Sequence, residues 1–396
     1  MNIVRTSPLF VRAGVLAIVA TLIASSVALA AWSPAVVVRP ATFQPTSPDL
    51  AASGPNVVAA WGQPAMGGNP ASVWVAQSVN NGTTFGTPVR LFKNSARAAQ
   101  DIAVFSGLSL HFAVWSEQVS GGGSRVFLSK ATFGGGWSPA AQVSTNTGST
   151  KARYPRIVVS GNFFVLAYQA SAPSGLYSAY TRVYNGNIGW GGPTLLPGGA
   201  PLANGGVSVA VSATTVLVAW TNAAGTVKER RGKIFAAGMS FLWYTGFPSL
   251  GTGKTPLIVL GGTNAVVLWA DNADIFRRRS TNSGAGWGSQ LKILDGNPGT
   301  NVSPGTAYSL YDAAMRNASV AFTVATGPGT PELGQGYRMV SGNSGVSWTK
   351  TSTSAYAGDS RQLAYTVVLG VGKLAEAWIE VDPMAYPWAL KYHRQP

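Results

Sequence analysis

The chain has 396 residues, with 28 Lys or Arg against 13 Asp or Glu, and it contains 48 Gly, 24 Pro and 13 Trp but no Cys. Charged residues make up 10 % and aromatics a further 10 %, a balance that argues against a disordered or helical chain and for a turn-rich all-β one. Without Cys there is no disulfide framework, thiolate nucleophile or Cys-type zinc site, and two His, His111 and His393, leave little room for a multi-His metal site or the usual Ser-His-Asp relay.

At the N-terminus, Arg5 and Arg12 precede an uncharged stretch from Ala13 to Ala30 that ends in Ala28-Leu29-Ala30. A positive region, an apolar core and a small-residue cleavage site together read as a secretory signal over 1–30. Left uncleaved, the same stretch of 18 residues approaches the roughly 20 needed to anchor in a bilayer. Cleavage leaves a single domain over 31–396 with net charge lowered from +15 to +13, a balance suited to anionic surfaces.

Along that domain, an apolar run ending in an aromatic recurs. It reads Asn56 to Trp61, His111 to Trp115, Val165 to Tyr168, Leu217 to Trp220, Val266 to Trp269, a weaker copy Val320 to Val324, and Leu374 to Trp378. The anchors 61, 115, 168, 220, 269, 324 and 378 are separated by 54, 53, 52, 49, 55 and 54 residues. About 20 residues after each run, an aromatic follows a Gly-rich turn: Phe85, Trp137, Trp190, Trp243, Trp287 and Trp348, with Trp32 in phase ahead of them. Four short apolar runs per repeat, divided by Gly, Pro, Asn and Ser, spell an antiparallel four-stranded sheet, and repeats of this length are propeller blades. The expectation is a seven-bladed β-propeller whose last blade takes Trp32 to Arg39 as its fourth strand beside three C-terminal strands. A six-bladed ring is the runner-up.

Three corner turns share the pattern Ser-x-Asn-x-Gly-x-x-aromatic: Ser78, Asn80, Gly82 and Phe85; Ser280, Asn282, Gly284 and Trp287; Ser341, Asn343, Gly345 and Trp348. Asn and Ser can bond the backbone of their own turn, Gly accepts positive φ, and the aromatic can pack between blades. The pattern resembles the Asp-box of sialidase-like (BNR-repeat) propellers, with Asn where that family often has Asp. The resemblance implies a hairpin between third and fourth strands, on the face away from the functional site. The sialidases it resembles use three Arg, an acid/base Asp and a Tyr–Glu pair. The Arg-Ile-Pro segment that places their first Arg is replaced by Ser47-Pro48-Asp49-Leu50.

The residue 12 before each anchor falls at an equivalent place on successive inner strands, at one mouth of the ring: Asp49, Arg156, Ser208 and Asp312. Asp101, two residues further back and by alternation on the same face, and Arg361 join them, with Tyr154, Tyr311 and Tyr365 near enough in sequence to stack on a sugar. One reading makes these residues a polar ligand site; another makes them strand-start residues that pair across neighbouring blades. Loops between second and third strands are expected to open on the same face, carrying Glu117, Asp271, Asp274, Glu332, Glu380 and Asp382. Asp271 to Asp274 could offer oxygen ligands to Ca²⁺ without making a full Ca²⁺ loop, and a capped turn is the plainer reading. The basic runs Lys228 to Arg231 and Arg277 to Arg279 fit a solvated outer face, with polyanion binding as the sharper alternative. His111 reads as a packed histidine.

These readings add up to a secreted or periplasmic recognition module for a glycan or another extracellular polymer. A sialidase-type glycoside hydrolase, with Asp49 or Asp101 as acid/base and Arg156 and Arg361 as an anion clamp, is the alternative, and a protein-interaction scaffold a third. No cofactor, metal or nucleic-acid partner is expected, and a membrane partner only if the signal is retained.

Overall fold

The computed structural model describes residues 36–41, 46–107, 109–145, 149–171, 177–185, 189–196, 202–235, 239–272, 274–295, 307–316, 318–327, 335–352, 362–369, 374–381 and 388–394. The expected signal at 1–30, Trp32, Arg361, Glu332 and Asp382 lie outside them. Every described element is a strand or a turn, so the protein is all-β, a β-propeller of four-stranded antiparallel blades.

Six sheets are each built from consecutive strands, beginning with the inner strands Thr46–Ser53, Ala99–Gly107, Ala152–Ser160, Leu202–Ser212, Lys254–Gly261 and Ala307–Arg316. A seventh sheet joins the ends of the chain: Val36–Ala41 pairs with Trp388–Arg394, followed inward by Leu374–Val381 and Gln362–Leu369. Each inner strand touches the next around a closed ring, and Gln362–Leu369 returns to touch Thr46–Ser53. We number the blades one to seven from Thr46. In blades three and four the outer edge is split into two short pieces, at Gly189–Trp190 and Thr194–Leu195, and at Ser240–Trp243 and Ser249–Thr252.

The uninterrupted apolar runs are the second strands. A strand between two neighbours in its own sheet, with a blade against each face, has no solvated side, so it reads as continuous apolar residues rather than alternating ones. Asn56–Gln63 is buried from Val57 to Gly62, and Phe163–Ser171 from Phe164 to Ser171. The anchors Trp61, Trp115, Tyr168, Trp220, Trp269 and Val324 are each at most 4 % exposed. Successive residues then serve different interfaces. Ala60 joins a cluster with Val104 and Trp115 of blade two, whereas Trp61 faces the other way with Val38 and Leu50.

The three Ser-x-Asn-x-Gly corners fold alike. Ser78 Oγ donates to Asn80 Oδ1 at 2.8 Å and accepts from Gly82 N at 2.9 Å; the corresponding distances are 2.8 and 2.9 Å at Ser280 and 2.8 and 2.8 Å at Ser341. The Asn carboxamide oxygen then accepts from Thr84 N, Gly286 N and Ser347 N respectively. Each turn passes through two left-handed residues, Asn81 and Gly82, Ser283 and Gly284, or Ser344 and Gly345. Blades three and four lack the Ser and Asn, and there an arginine of the third strand lies over the corner aromatic instead: Arg182 over Trp190 at 5.2 Å and Arg230 over Trp243 at 5.1 Å.

These corners lock each blade to the one before it. A Cβ on Gly284, at φ +80°, would stand 2.6 Å from Leu217 Cδ2 of blade four. Gly262, at φ +61° in the same blade, has open space around it. Gly284→Ala should therefore cost at least about 2 kcal/mol, and Gly262→Ala about 1 kcal/mol for the backbone alone. Equal shifts of the two unfolding midpoints in denaturant would contradict the docked corner.

Candidate functional site at the mouth of the ring

Each inner strand breaks register with its neighbour once near its start, between residues 46 and 49, 100 and 103, 153 and 156, 202 and 207, 254 and 257, 310 and 312, and 362 and 366. Beyond each break, Asp49, Ala103, Arg156, Ser208, Leu257, Asp312 and Thr366 pair with Ala60, Val114, Ala167, Ala219, Leu268, Thr323 and Ala377. Every one of those partners immediately precedes an anchor, so the 12-residue interval marks one structural position repeated around the ring. The breaks hold left-handed residues, Asp101 at φ 55°, Tyr154 at 52°, Gly206 at 78° and Thr255 at 46°. Such bulges re-aim side chains. They also correct the expectation that alternation puts Asp101 on the same face as the others, because the period of two does not survive the break.

The carboxylates at the mouth are engaged within the protein. Asp49 Oδ1 accepts from Leu50 N at 2.9 Å, and its Oδ2 reaches across to Val104 N of blade two at 2.8 Å. Ser208 makes the same crossing, its Oγ accepting from Ile258 N of blade five at 3.0 Å. Asp101 is held by Arg153 of blade three, with Nε at 3.0 Å and Nη2 at 3.3 Å, and by Ser116 Oγ at 2.7 Å. Burial works against the charge on Arg153, but the hydrogen bond and attraction of Asp101 outweigh it and hold the guanidinium above its ordinary range. The Arg153 guanidinium lies 4.8 Å from the centre of the Tyr154 ring. Burial pushes the Tyr154 phenol up, with Arg153 pulling in the opposite sense.

Arg156 differs from these, since its side chain is exposed on the innermost strand and its Nη1 donates to its neighbour Pro155 O at 3.2 Å. Asp312 is half-buried at the repeated position. Tyr311 and Tyr365 are placed as inner-strand positions, and their side chains lie outside the description, as does that of Glu380. Arg153 and Ser116 were not singled out by the sequence. The signal for Arg153 is its position beside Tyr154, where the chain enters the next blade after Asp101.

Three of the acids expected on loops, Glu117, Asp271 and Asp274, lie within strands. Glu117 belongs to the second strand Leu110–Gln118 and is 1 % exposed, its oxygens accepting from Lys93 N and Asn94 N at 2.7 Å each and from Trp115 Nε1 at 3.2 Å. It ties the link between blades one and two to blade two. Asp274 pairs with Lys292 at 2.9 Å, while Asp271 accepts from Thr252 Oγ1 at 2.9 Å. Among the described residues no group of three His, Asp or Glu is placed to hold a metal.

Two titratable groups lie deeper. Glu229, between blades four and five, accepts from Trp287 Nε1 at 3.2 Å, and burial pushes its carboxyl up to about 7. His111 is fully buried, with Nδ1 2.6 Å from Ser106 Oγ, and burial lowers its pKa to about 4.

No protein-family model matches the sequence, and no curated protein matches it either. Among solved structures, the chain is similar to a Trypanosoma rangeli sialidase in complex with the inhibitor DANA, with 12 % identity and a TM-score of 0.47, over 89 % of this chain and 55 % of that one. It thus spans about half the length of the sialidase chain. It is also similar to the α-L-arabinofuranosidase Arb93A of Fusarium graminearum in complex with an iminosugar inhibitor, with 10 % identity and a TM-score of 0.49, over 91 % of this chain and 97 % of that one.

Removing the Asp49 carboxylate strands two backbone donors, so Asp49→Ala should destabilise by about 1–3 kcal/mol, and a loss below a few tenths in chemical denaturation would rule out the inter-blade bond. The buried pair gives opposite pH dependences. An unfolded Glu229 ionises from 4.5 whereas the folded one keeps its proton to about 7, so its contribution falls as pH rises through that window. An unfolded His111 takes up a proton below 6.5 but the folded one resists to about 4, so its contribution falls as pH drops. The two largely offset each other in the native protein. Glu229→Gln should unmask a stability that climbs by up to about 3 kcal/mol between pH 4 and 7, and His111→Gln a decline over the same range. Superimposable pH profiles of unfolding for the native protein and both variants would refute these assignments.

Proposed function

We propose that the protein is an exported, sialidase-like β-propeller that recognises an extracellular glycan at the mouth of its ring and does not hydrolyse it. The three Ser-x-Asn-x-Gly corners are, on this reading, Asp-boxes that brace the opposite face. The observation that carries it is the state of the two carboxylates best placed to act as acid/base. Both oxygens of Asp49 are taken by backbone N–H groups, and both oxygens of Asp101 by Arg153. A general acid must deliver a proton to a substrate oxygen within hydrogen-bond reach, and neither group can turn to do so without unpairing a neighbouring blade.

What remains open to a ligand is cationic and aromatic. Arg156 is exposed, Arg153 and Tyr154 form a half-buried stacked pair, and Tyr177 stands at the start of the third strand of the same blade. Guanidinium groups beside aromatic rings suit a sugar that carries a carboxylate, held by charge on one side and stacking on the other.

The test pairs a glycan array with a fluorogenic panel of sialosides and other glycosides, using the chain from residue 31 onward. Binding to acidic glycans without turnover is expected, weakened about tenfold or more in Arg156→Ala at unchanged thermal stability. Turnover that Arg156→Ala abolishes would instead establish the hydrolase, and binding to no glycan would leave the scaffold reading.

A further inference from the structure

A second concentration of charge lies away from the mouth, on the third strands of blades four and five. Thr226–Phe235 carries Lys228, Arg230, Arg231 and Lys233, and Asp274–Ser280 carries Arg277, Arg278 and Arg279. These runs do not form the solvated outer face expected from the sequence. A further strand flanks each of them, so the side chains turn into the grooves between blades: Arg230 is 8 % exposed, and Arg231 and the three arginines of blade five are half-buried. Arg231 lies opposite Leu217 and Arg278 opposite Val267, and both of those partners belong to the core between blades four and five. Arg277 and Arg279 lie opposite Leu268 and Val266, in the core between blades five and six.

The acids near these cations are few and mostly engaged elsewhere, although Glu229 keeps one unbonded oxygen and attracts Arg231. Glu229 is bonded to Trp287, Asp271 to Thr252, and Asp274 and Asp295 both hold Lys292. None of the seven cations is in an ion pair with a described residue, and Nε of Arg230, Arg231, Arg277, Arg278 and Arg279 is buried without a hydrogen-bond partner among them. Burial, and then repulsion from Arg279, hold the Arg277 guanidinium below its ordinary range. Buried like charges without counterions are unfavourable unless an anion is supplied. Aromatic rings fix part of the array, with Arg230 5.3 Å from the centre of Phe247 and Arg231 4.4 Å from that of Tyr244, and both rings are exposed.

From this placement we infer that the outer wall of blades four and five binds an anionic polysaccharide, laid across successive inter-blade grooves. The shape selects the partner. A flexible chain bearing an acidic group on each unit can dip into each groove, whereas a flat anionic bilayer meets projecting cations, and these are recessed. The surface is separate from the mouth, and the inference does not depend on what the mouth binds.

The experiment measures binding of the chain from residue 31 onward to polygalacturonate, heparin, neutral dextran and phosphatidylglycerol vesicles across a salt series. Binding to polygalacturonate or heparin that salt weakens is expected, with none to dextran. Comparison of the two anionic chains tells carboxylate from sulfate recognition. Arg277→Gln with Arg279→Gln should bind about tenfold or more weakly, and Lys130→Gln, at an exposed cation on the third strand of blade two, as tightly as the native protein. If that double variant does not fold, Lys228→Glu with Lys233→Glu reads the same wall from its more accessible side. Equal binding of dextran, an unaffected wall variant, or capture by vesicles but by neither anionic chain would overturn the inference.

Discussion

A propeller blade has two apolar faces and no means of covering either by itself, so everything else in this protein follows from how blades are made to meet. The second strands show the constraint most directly. In a run such as Val57 to Trp61, successive side chains belong to different interfaces, one with the blade ahead and one with the blade behind. Replacing any of these residues disturbs a joint between blades rather than a private core. Pairing Val36–Ala41 with Trp388–Arg394 extends the same logic to the ends of the chain. A backbone ladder closes the ring where no disulfide is available.

Apolar packing alone leaves the angle between blades soft, and polar contacts set it at both ends. At the mouth, Asp49 and Ser208 accept from a backbone donor of the following blade, and Asp101 takes the guanidinium of Arg153. At the opposite face, the corner of blade five presses against Leu217 of blade four, while Gln77 exchanges two hydrogen bonds with the turn at Gly134 and Gly135 of blade two. These bonds are directional, and all but the one from Gly134 N are at least partly buried. They also engage Asp49 and Asp101, the two carboxylates best placed at the mouth to act on a ligand.

The fold was legible because a seven-fold repetition of sheets imposes the same burial on the same position each time. The anchors from Trp61 to Trp378 and the 12-residue interval to Asp49, Arg156, Ser208 and Asp312 register with the observed pairing. Legibility failed where the backbone departs from regular geometry. Counting by twos assigned a face to Asp101, yet that residue sits in a bulge with left-handed φ. Counting by loops assigned Glu117 to an open hairpin, yet the strand runs on to Gln118, past the anchor, and buries it. The arginine runs looked solvated because charge usually is, and their insertion between blades reflects the room left at the outer edge of a ring whose sheets splay apart.

By itself the sequence determined the all-β class, the period, the corner turns and the pairing of the chain's two ends. The first three are set by local rules of periodicity or turn chemistry, and the fourth follows from counting strands per repeat, which leaves an incomplete blade at each end. The tertiary structure alone decided which acids are free and which are spent. That depends on a donor in the neighbouring blade, some 50 residues away in the chain, as Val104 is from Asp49 and Arg153 from Asp101. A side chain's chemistry is written in its residue type, but its availability is set by what folds against it.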